Sequence, residues 1–186
     1  MGQETHKVIL TGLGGSGVVW AGTLIARAGM KEYEYAARLP NFTTSMRGGP
    51  CECMVVLSND RIATPVVSKG DVLLVLHNSQ LKSYEDKVRS DGLIILESTG
   101  LEASVEREDV RVVEVPAMEM ATSMGNPVVS GMILLGAYVQ ATGVFRPEFI
   151  ESELEARWGS GDEKTLLADN MGAFGRGLEI SKAIGS

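Results

Sequence analysis

Residues 7–11 (KVILT) run straight into Gly12-Leu13-Gly14-Gly15-Ser16-Gly17 and then into VVWAGTLIARAGM, and no other stretch restricts the fold so tightly. The β-branched, apolar pentapeptide reads as a buried strand. Beyond Gly17, the residues Val18, Ala21, Leu24, Ile25 and Ala28 fall near helical spacing, with Gly29 as a stop. A strand that turns on glycines directly into a helix opens a parallel α/β unit. Gly12, Gly14 and Gly17 match G-x-G-x-x-G, and Gly15 and Ser16 share the same turn. Such glycines permit a tight turn, close helix–strand packing and close approach of a ligand, and the helix start favours an anion. Three readings follow: a dinucleotide site, a more general phosphate or anion site, and a plain βα turn. A nicotinamide dinucleotide also calls for an acidic residue about twenty positions later, at the end of the second strand. Glu32 and Glu34 are near that distance but sit at the start or inside of that strand.

The second strand is expected over residues 33–39, closed by Pro40, and residues 40–50 (PNFTTSMRGGP) read as a loop. A strand over 51–57 is followed by the turn Ser58-Asn59-Asp60 and a hairpin return over 61–64. The run 72–76 (VLLVL) has the continuous apolarity of a central strand covered on both faces. A polar helix over 79–88 and strands over 93–96 and 112–115 come next. Helices over 117–124, 128–140, 147–157 and 164–180 make up the C-terminal third. Strand and helix in alternation predict a three-layer, Rossmann-like α/β domain with a mainly parallel sheet and helices on both faces. With no internal repeat or linker, residues 1–186 form one domain, long enough to bury a core.

Charge narrows the partners. A net charge of −7 without a Lys/Arg cluster excludes nucleic acid. The longest apolar run, 127–139, is broken by Ser130, Gly131 and Gly136 and is too short to span a bilayer. The start MGQETHKVIL lacks the features of a secretory signal, so a cytoplasmic location is expected. Cys51 and Cys53, the only cysteines, fall short of the about four ligands an iron–sulfur cluster needs, and read as small apolar strand residues. His6 and His77 are the only histidines. His77 follows the central strand, where α/β proteins place ligands, yet a structural role is the plainer reading. No Ser-His-Asp order, metal spacing or carboxylate pair marks a catalytic centre.

Met46-Arg47-Gly48-Gly49 holds a cation on a glycine-rich turn just before a strand. Arginine offers a fork of donors for carboxylate or phosphate, glycines let backbone amides face the same anion, and Thr43, Thr44 and Ser45 add hydroxyls. An arginine pairing a carboxylate across a subunit interface fits equally well. Asn126, ahead of Pro127, either caps the next helix or faces a ligand. That helix (Val128, Val129, Met132, Ile133, Leu135, Tyr138) is apolar nearly all round and should be buried in the core or against another subunit. Met118, Met120, Met124 and Met132 read as gap-filling core residues, with an adaptable interface as the alternative.

Taken in order, GLGGSGVVWAGTLIARAG, LPNFTTSMRGGPCECMVVLS and VSKGDVLLVLHNSQL resemble the gamma subunits of 2-oxoacid:acceptor (ferredoxin) oxidoreductases. GLIILES, MGNPVVSGMILLGAYVQATG and ADNMGAFGRGLE extend the likeness over nearly the whole chain. These enzymes act on pyruvate, 2-oxoglutarate, branched-chain and aryl 2-oxoacids. One departure is the stretch from Asn41 to Ser45, where the family often carries an aromatic-glycine pair and an acidic residue. The resemblance implies a complex that oxidatively decarboxylates a 2-oxoacid, usually to an acyl-CoA, and passes electrons to ferredoxin or another acceptor. It places thiamine diphosphate, Mg2+ and 4Fe-4S clusters on alpha, beta and ferredoxin-like partner subunits, with coenzyme A near the interface. This chain would not be active alone. Its ligand-facing surface would join Gly12, Gly14, Gly15, Ser16 and Gly17 to Thr44, Ser45, Arg47 and Gly48, with Asn126 nearby. The rival readings are an independent NAD(P)-binding oxidoreductase domain and a non-catalytic assembly module.

Overall fold

The computed structural model describes residues 5–42, 48–102, 104–160 and 163–184. Strand β1 (Thr5–Leu13) leads through the glycine turn into helix α1 (Val18–Gly29), and β2 (Tyr35–Phe42) and β3 (Pro50–Ser58) follow. Then come β4 (Gly70–Val75), α2 (Leu81–Tyr84), β5 (Val88–Glu97) and β6 (Arg111–Val115). The C-terminal third consists of α3 (Ala117–Ser123), α4 (Ser130–Thr142), α5 (Glu148–Trp158) and α6 (Lys164–Ile184).

The strands form a six-stranded sheet in the order β2-β3-β1-β4-β5-β6. β1, β4, β5 and β6 pair in parallel, while β3 runs antiparallel to both its neighbours, β1 and β2. The mainly parallel α/β architecture expected from the sequence is therefore the one observed. The reversed β3 has a consequence for function. Because Leu13 pairs with Pro50 and Phe42 with Cys51, β1 and β2 end, and β3 begins, at one edge of the sheet. The glycine turn, the end of β2 and the start of β3 consequently lie at the same edge.

Alternation along the strands splits the core into two layers. Val8, Leu10, Val72, Leu74 and Ile95 face one side, where they pack with residues of α1, α3, α4, α5 and α6. Ile9, Leu73, Val75, Ile94 and Leu96 face the other, beneath α2, Val67 and the segment carrying Leu101, Val105 and Val110. Helices thus lie on both faces, but the second layer is thin. α4 is buried along almost its whole length, from Met132 to Val139, because it lies between the sheet and α6. Val128, expected in that helix, instead lies in a 3-10 turn ahead of it and is 84% exposed. Met132 fills the core as expected, whereas Met118 and Met124 are exposed.

Three local expectations are corrected. Residues 61–64 form no hairpin return: β3 has both its edges taken by β1 and β2, and β4 pairs in parallel with β1 on its other side. Pro40 does not end β2 but sits within it, opposite Cys53. An edge strand tolerates a residue that lacks a ladder donor, and β2 is an edge strand. The polar helix over 79–88 is only the single turn α2 flanked by 3-10 turns, and Val88 already belongs to β5. At the far end of β5, buried Glu97 accepts hydrogen bonds from the Thr99 and Met118 amides at 3.0 and 3.2 Å. A strand residue thereby satisfies an orphan amide in the first turn of α3.

His6 is 5% exposed and its Nε2 lies 2.9 Å from the Tyr138 hydroxyl, joining β1 to α4. Burial holds its pKa below the ordinary 6.5; Asp71 pulls the other way and Arg89 adds to the depression. The unfolded chain thus takes up a proton near 6.5 that the folded chain resists, so stability present above that pH is lost as pH falls toward the folded-state value. Urea midpoints are expected to decline between about pH 7.5 and about pH 5. His6→Gln, which keeps a hydrogen-bonding group but does not titrate, is expected to flatten that decline. An identical slope in the variant would exclude His6 as its source.

Candidate functional site

The glycine turn departs from the end of β1 with each glycine placed for a physical reason. A side chain on Gly12 would run into Ser16 Oγ and come within 2.9 Å of Val18 Cγ2. Gly15 and Gly17 adopt φ of 99° and 84°, the left-handed region that glycine occupies without a Cβ penalty. Ser16 closes the turn on itself, its amide and hydroxyl both donating to the Leu13 carbonyl, at 3.0 and 2.7 Å. Gly14 donates its N–H to the Gly49 carbonyl at 2.9 Å, and a Cβ on Gly14 would stand 3.2 Å from Gly48 Cα. That contact brings the start of the β3 arm against the turn. Gly48, with φ of 82°, is exposed, as are Gly14, Gly15 and Gly17. The two glycine-rich segments predicted to share one edge do meet there; Thr44, Ser45 and Arg47 lie outside the described residues.

A third segment arrives from α4. Gly131 packs so closely that a Cβ would lie 3.0 Å from the Ser16 carbonyl oxygen. Just ahead of it, Asn126 makes no side-chain cap to the turn it precedes. Its Nδ2 donates instead to Asp169 Oδ2 on α6, at 2.8 Å. Between the glycine turn, α4, α5 and α6 opens a cleft of about 430 Å³ with a mostly apolar wall. Trp20 and Trp158 contribute their rings, 5.5 Å apart between centroids and tilted by 54°. Sequence reasoning found Asn126 and the glycines but missed Trp20, Trp158, Asn170 and Asp169. The available signal was that the chain has only two tryptophans, and both are partly buried at the margin of the main core rather than within it.

The remaining candidates resolve into structural roles. His77 accepts a hydrogen bond from the Ser79 amide and pairs with the Ser79 hydroxyl at 2.9 Å, capping the turn after β4. Cys51 and Cys53 are buried against α1, where Cys53 fills the space left by Gly22. Burial pushes the Cys53 thiol up to about 11, opposed by Arg38, which is the reverse of what a thiolate ligand requires. Among the described residues no three His, Cys, Asp or Glu side chains stand close enough to hold a metal. Glu32 and Glu34 precede β2 and so lie at the sheet edge opposite the glycine turn. At the correct end of β2 stand Asn41 and Phe42, neither of them an acid that could bind a ribose. In addition β3, not β2, lies beside β1, which departs from the dinucleotide-binding strand order.

A glycine-turned α/β sheet with this edge defines a recognisable class: the chain belongs to the pyruvate ferredoxin/flavodoxin oxidoreductase family, matched across residues 7–180. Its relatives are named as subunits of 2-oxoacid oxidoreductases. The 2-oxoglutarate synthase subunit KorC of Methanocaldococcus jannaschii is 27% identical over 96% of this chain and 95% of its own length. The ketoisovalerate oxidoreductase subunit VorA of Methanothermobacter thermautotrophicus is 32% identical over 78% of this chain, which spans only 31% of that longer relative. Among solved structures, the fold matches the keto/oxoacid ferredoxin oxidoreductase gamma subunit of Geobacter sulfurreducens (TM-score 0.79, 21% identity, 97% of this chain and 98% of that one). It also matches a 2-oxoglutarate:ferredoxin oxidoreductase of Magnetococcus marinus with 2-oxoglutarate, coenzyme A and succinyl-CoA bound (TM-score 0.87, 21% identity, 97% of this chain and 32% of that one). The fold unit thus occurs both as a separate chain and within a larger one. Among the described residues no helix is long and apolar enough to cross a membrane.

Proposed function

We propose that this chain is the gamma subunit of a heteromeric enzyme that oxidatively decarboxylates a 2-oxoacid, usually to an acyl-CoA, and delivers the electrons to ferredoxin or a similar acceptor. Alpha, beta and ferredoxin-like partners carry the thiamine diphosphate, Mg2+ and 4Fe-4S clusters, and the complex works in the cytoplasm. In this reading the chain supplies shape and electrostatics while the cofactors supply the chemistry. Its contribution is the edge where Gly12–Gly17 meets Gly48 and Gly49, turned toward the active centre or the phosphates of coenzyme A.

The observation that carries this reading is the 2.9 Å bond from Gly14 to Gly49, which holds two glycine-rich backbones side by side, with Gly14, Gly15, Gly17 and Gly48 exposed. Paired loops of this kind suit an anion that has to be approached by backbone. Purification of the chain from its native cells, with mass spectrometry of what accompanies it, is expected to recover the partner subunits. In the assembled enzyme Arg47→Ala is expected to raise the KM for coenzyme A about tenfold or more, the loss of one charge-assisted contact. Recovery of the chain alone, active on a substrate without companions, would end the proposal; unchanged kinetics in an intact complex would remove Arg47 from it. One observation favours a plain assembly module: packing and turn geometry already account for Gly12, Gly14, Gly15 and Gly17. That reading predicts normal turnover after any change in the turn that leaves the fold intact.

A further inference from the structure

We infer that a polar cavity at the sheet edge opposite the glycine turn is a binding site for a small α-amino acid. The cavity, about 280 Å³, opens where α1 and α4 end. His6 from the start of β1, Glu32 and Tyr33 from just past α1, and Asn59 from the turn after β3 line it, together with the carboxyl end of α4 at Thr142 and Gly143. Tyr33 is only 8% exposed and His6 only 5%, yet each keeps a polar atom without a partner. Tyr138 takes Nε2 of His6 and leaves Nδ1, and among the described residues the Tyr33 hydroxyl bonds to nothing. Neither atom is sealed in, because among the described residues the Trp20 indole nitrogen is the only side-chain atom both sealed and unpaired. Polar groups on side chains this buried normally have a partner, and for these two it has to come from what occupies the cavity.

Hydrogen bonding sorts the lining into donors and acceptors. The Tyr138 hydroxyl is fully buried with His6 as its partner, so its hydrogen belongs on His6 Nε2; a buried O–H with no acceptor costs more than an oxygen that accepts nothing. That assigns the ring hydrogen to Nδ1, which donates into the cavity. Asn59 is oriented by its own contact: its Oδ1 accepts from the Glu34 amide at 3.3 Å, which leaves the hydrogens of Nδ2 free. Donors on these two residues suit a carboxylate. The other lining groups suit a cation. Glu32 is exposed and makes no ion pair among the described residues, and the Tyr33 oxygen can accept. Burial first, then the charges of Glu32 and Asp71, raise the Tyr33 phenol above its ordinary 10.0, so it stays neutral. The carboxyl ends of α1 and α4 add negative potential at the same edge. A molecule with a carboxylate and an ammonium on one short frame answers both halves. Its carboxylate accepts from His6 and Asn59, and its ammonium donates to Glu32 and the Tyr33 oxygen.

The full chain would be titrated by calorimetry with L-alanine, L-valine and L-glutamate, and with the 2-oxoacid that corresponds to each. Exchanging the ammonium for a carbonyl oxygen removes the positive group and sets an acceptor against the Glu32 carboxylate. At least one amino acid is expected to bind, with its 2-oxoacid about tenfold weaker or more. Glu32→Gln, a change at an exposed position without an ion pair among the described residues, is expected to weaken that amino acid about tenfold and leave the 2-oxoacid no weaker. No binding of any of these amino acids by calorimetry or ligand-observed NMR, equal affinity within every pair, or unchanged affinity in Glu32→Gln would overturn the inference. This cavity shares no residue with the glycine edge. Co-purification with partner subunits and the Arg47→Ala effect do not depend on it, so an empty cavity leaves the proposed function standing.

Discussion

Gly177→Ala is expected to lower the melting temperature by roughly 6–12 °C, the equivalent of about 3 kcal/mol in a chain of this size. The reason is the crossing of α4 and α6. A Cβ on Gly177 would lie well inside contact with the Ile133 carbonyl oxygen, 2.9 Å from the Ala137 amide nitrogen and 2.9 Å from Gly136 Cα. A Cβ on Gly136 would collide in turn with the Phe174 carbonyl and lie 3.0 Å from Gly177 Cα. Backbone atoms of two packed helices are met on every side, and no flexible side chain can turn away. The helices have to separate, loosening the layer that covers one face of the sheet. Gly175, two residues earlier on the same helix, provides the control, since nothing stands within 4 Å of a Cβ there. Gly175→Ala is expected to stabilise by about 0.5–1 kcal/mol through helix propensity and a less flexible unfolded chain. Calorimetry on the two variants should give shifts of opposite sign. Similar melting temperatures would mean that α4 and α6 do not cross at these glycines.

Much of this architecture could be read from the sequence because burial on both faces leaves a strong signature. The runs at β1, β4 and β5 are apolar without alternation, and the structure buries them between two layers. The misread places lacked any local signal for what decided them. Pro40 looks like a strand terminator until β2 is known to be the edge strand. Residues 61–64 look like a hairpin return until β3 is known to have both edges taken. The segment after β4 has helical composition, yet only the twelve residues 76–87 connect it to β5 at Val88, and they hold one α-helical turn between two 3-10 turns. Strand order is a property of the whole sheet and is not written in any window of residues.

The candidate site was legible where backbone geometry dictates residue type. Positive φ at Gly15, Gly17 and Gly48, and the close approach at Gly12 and Gly14, leave glycine as the fitting choice, so these positions could be found from spacing alone. Asn126 was visible as a helix-start residue, but its bond to Asp169 joins positions 43 residues apart, which no local pattern reveals. The same holds for Trp20, Trp158 and Asn170, which lie on α1, α5 and α6 and become neighbours only in the folded chain. The acidic residues a nicotinamide site calls for are misplaced for a topological reason. Glu32 and Glu34 satisfy the distance rule in sequence, but the parallel course of β2 and β1 carries them to the opposite edge.

Gly14→Val is expected to reduce coenzyme A-dependent turnover of the assembled enzyme about a hundredfold while costing only a few degrees of melting temperature. Gly14 is the one residue of the turn whose missing side chain makes room for the second loop. A Cβ would stand 3.2 Å from both the Gly48 Cα and the Gly48 nitrogen, tighter than ordinary contact, and the two further methyl groups of valine add bulk at that contact. The Gly49 carbonyl then has to give up its 2.9 Å bond to the Gly14 amide, and the two backbones part by an ångström or so, on the order of what misplaces a binding group in a catalytic site. Gly15→Ala separates this effect from general damage to the turn. Nothing stands near its Cβ, but a φ of 99° strains any side chain, so it should cost about 1–2 kcal/mol of stability and leave the spacing of the loops alone. Steady-state rates at limiting and saturating coenzyme A, set beside the melting temperatures, distinguish the two. If Gly14→Val and Gly15→Ala lose stability as expected yet both retain full turnover, the paired loops serve assembly and face no ligand.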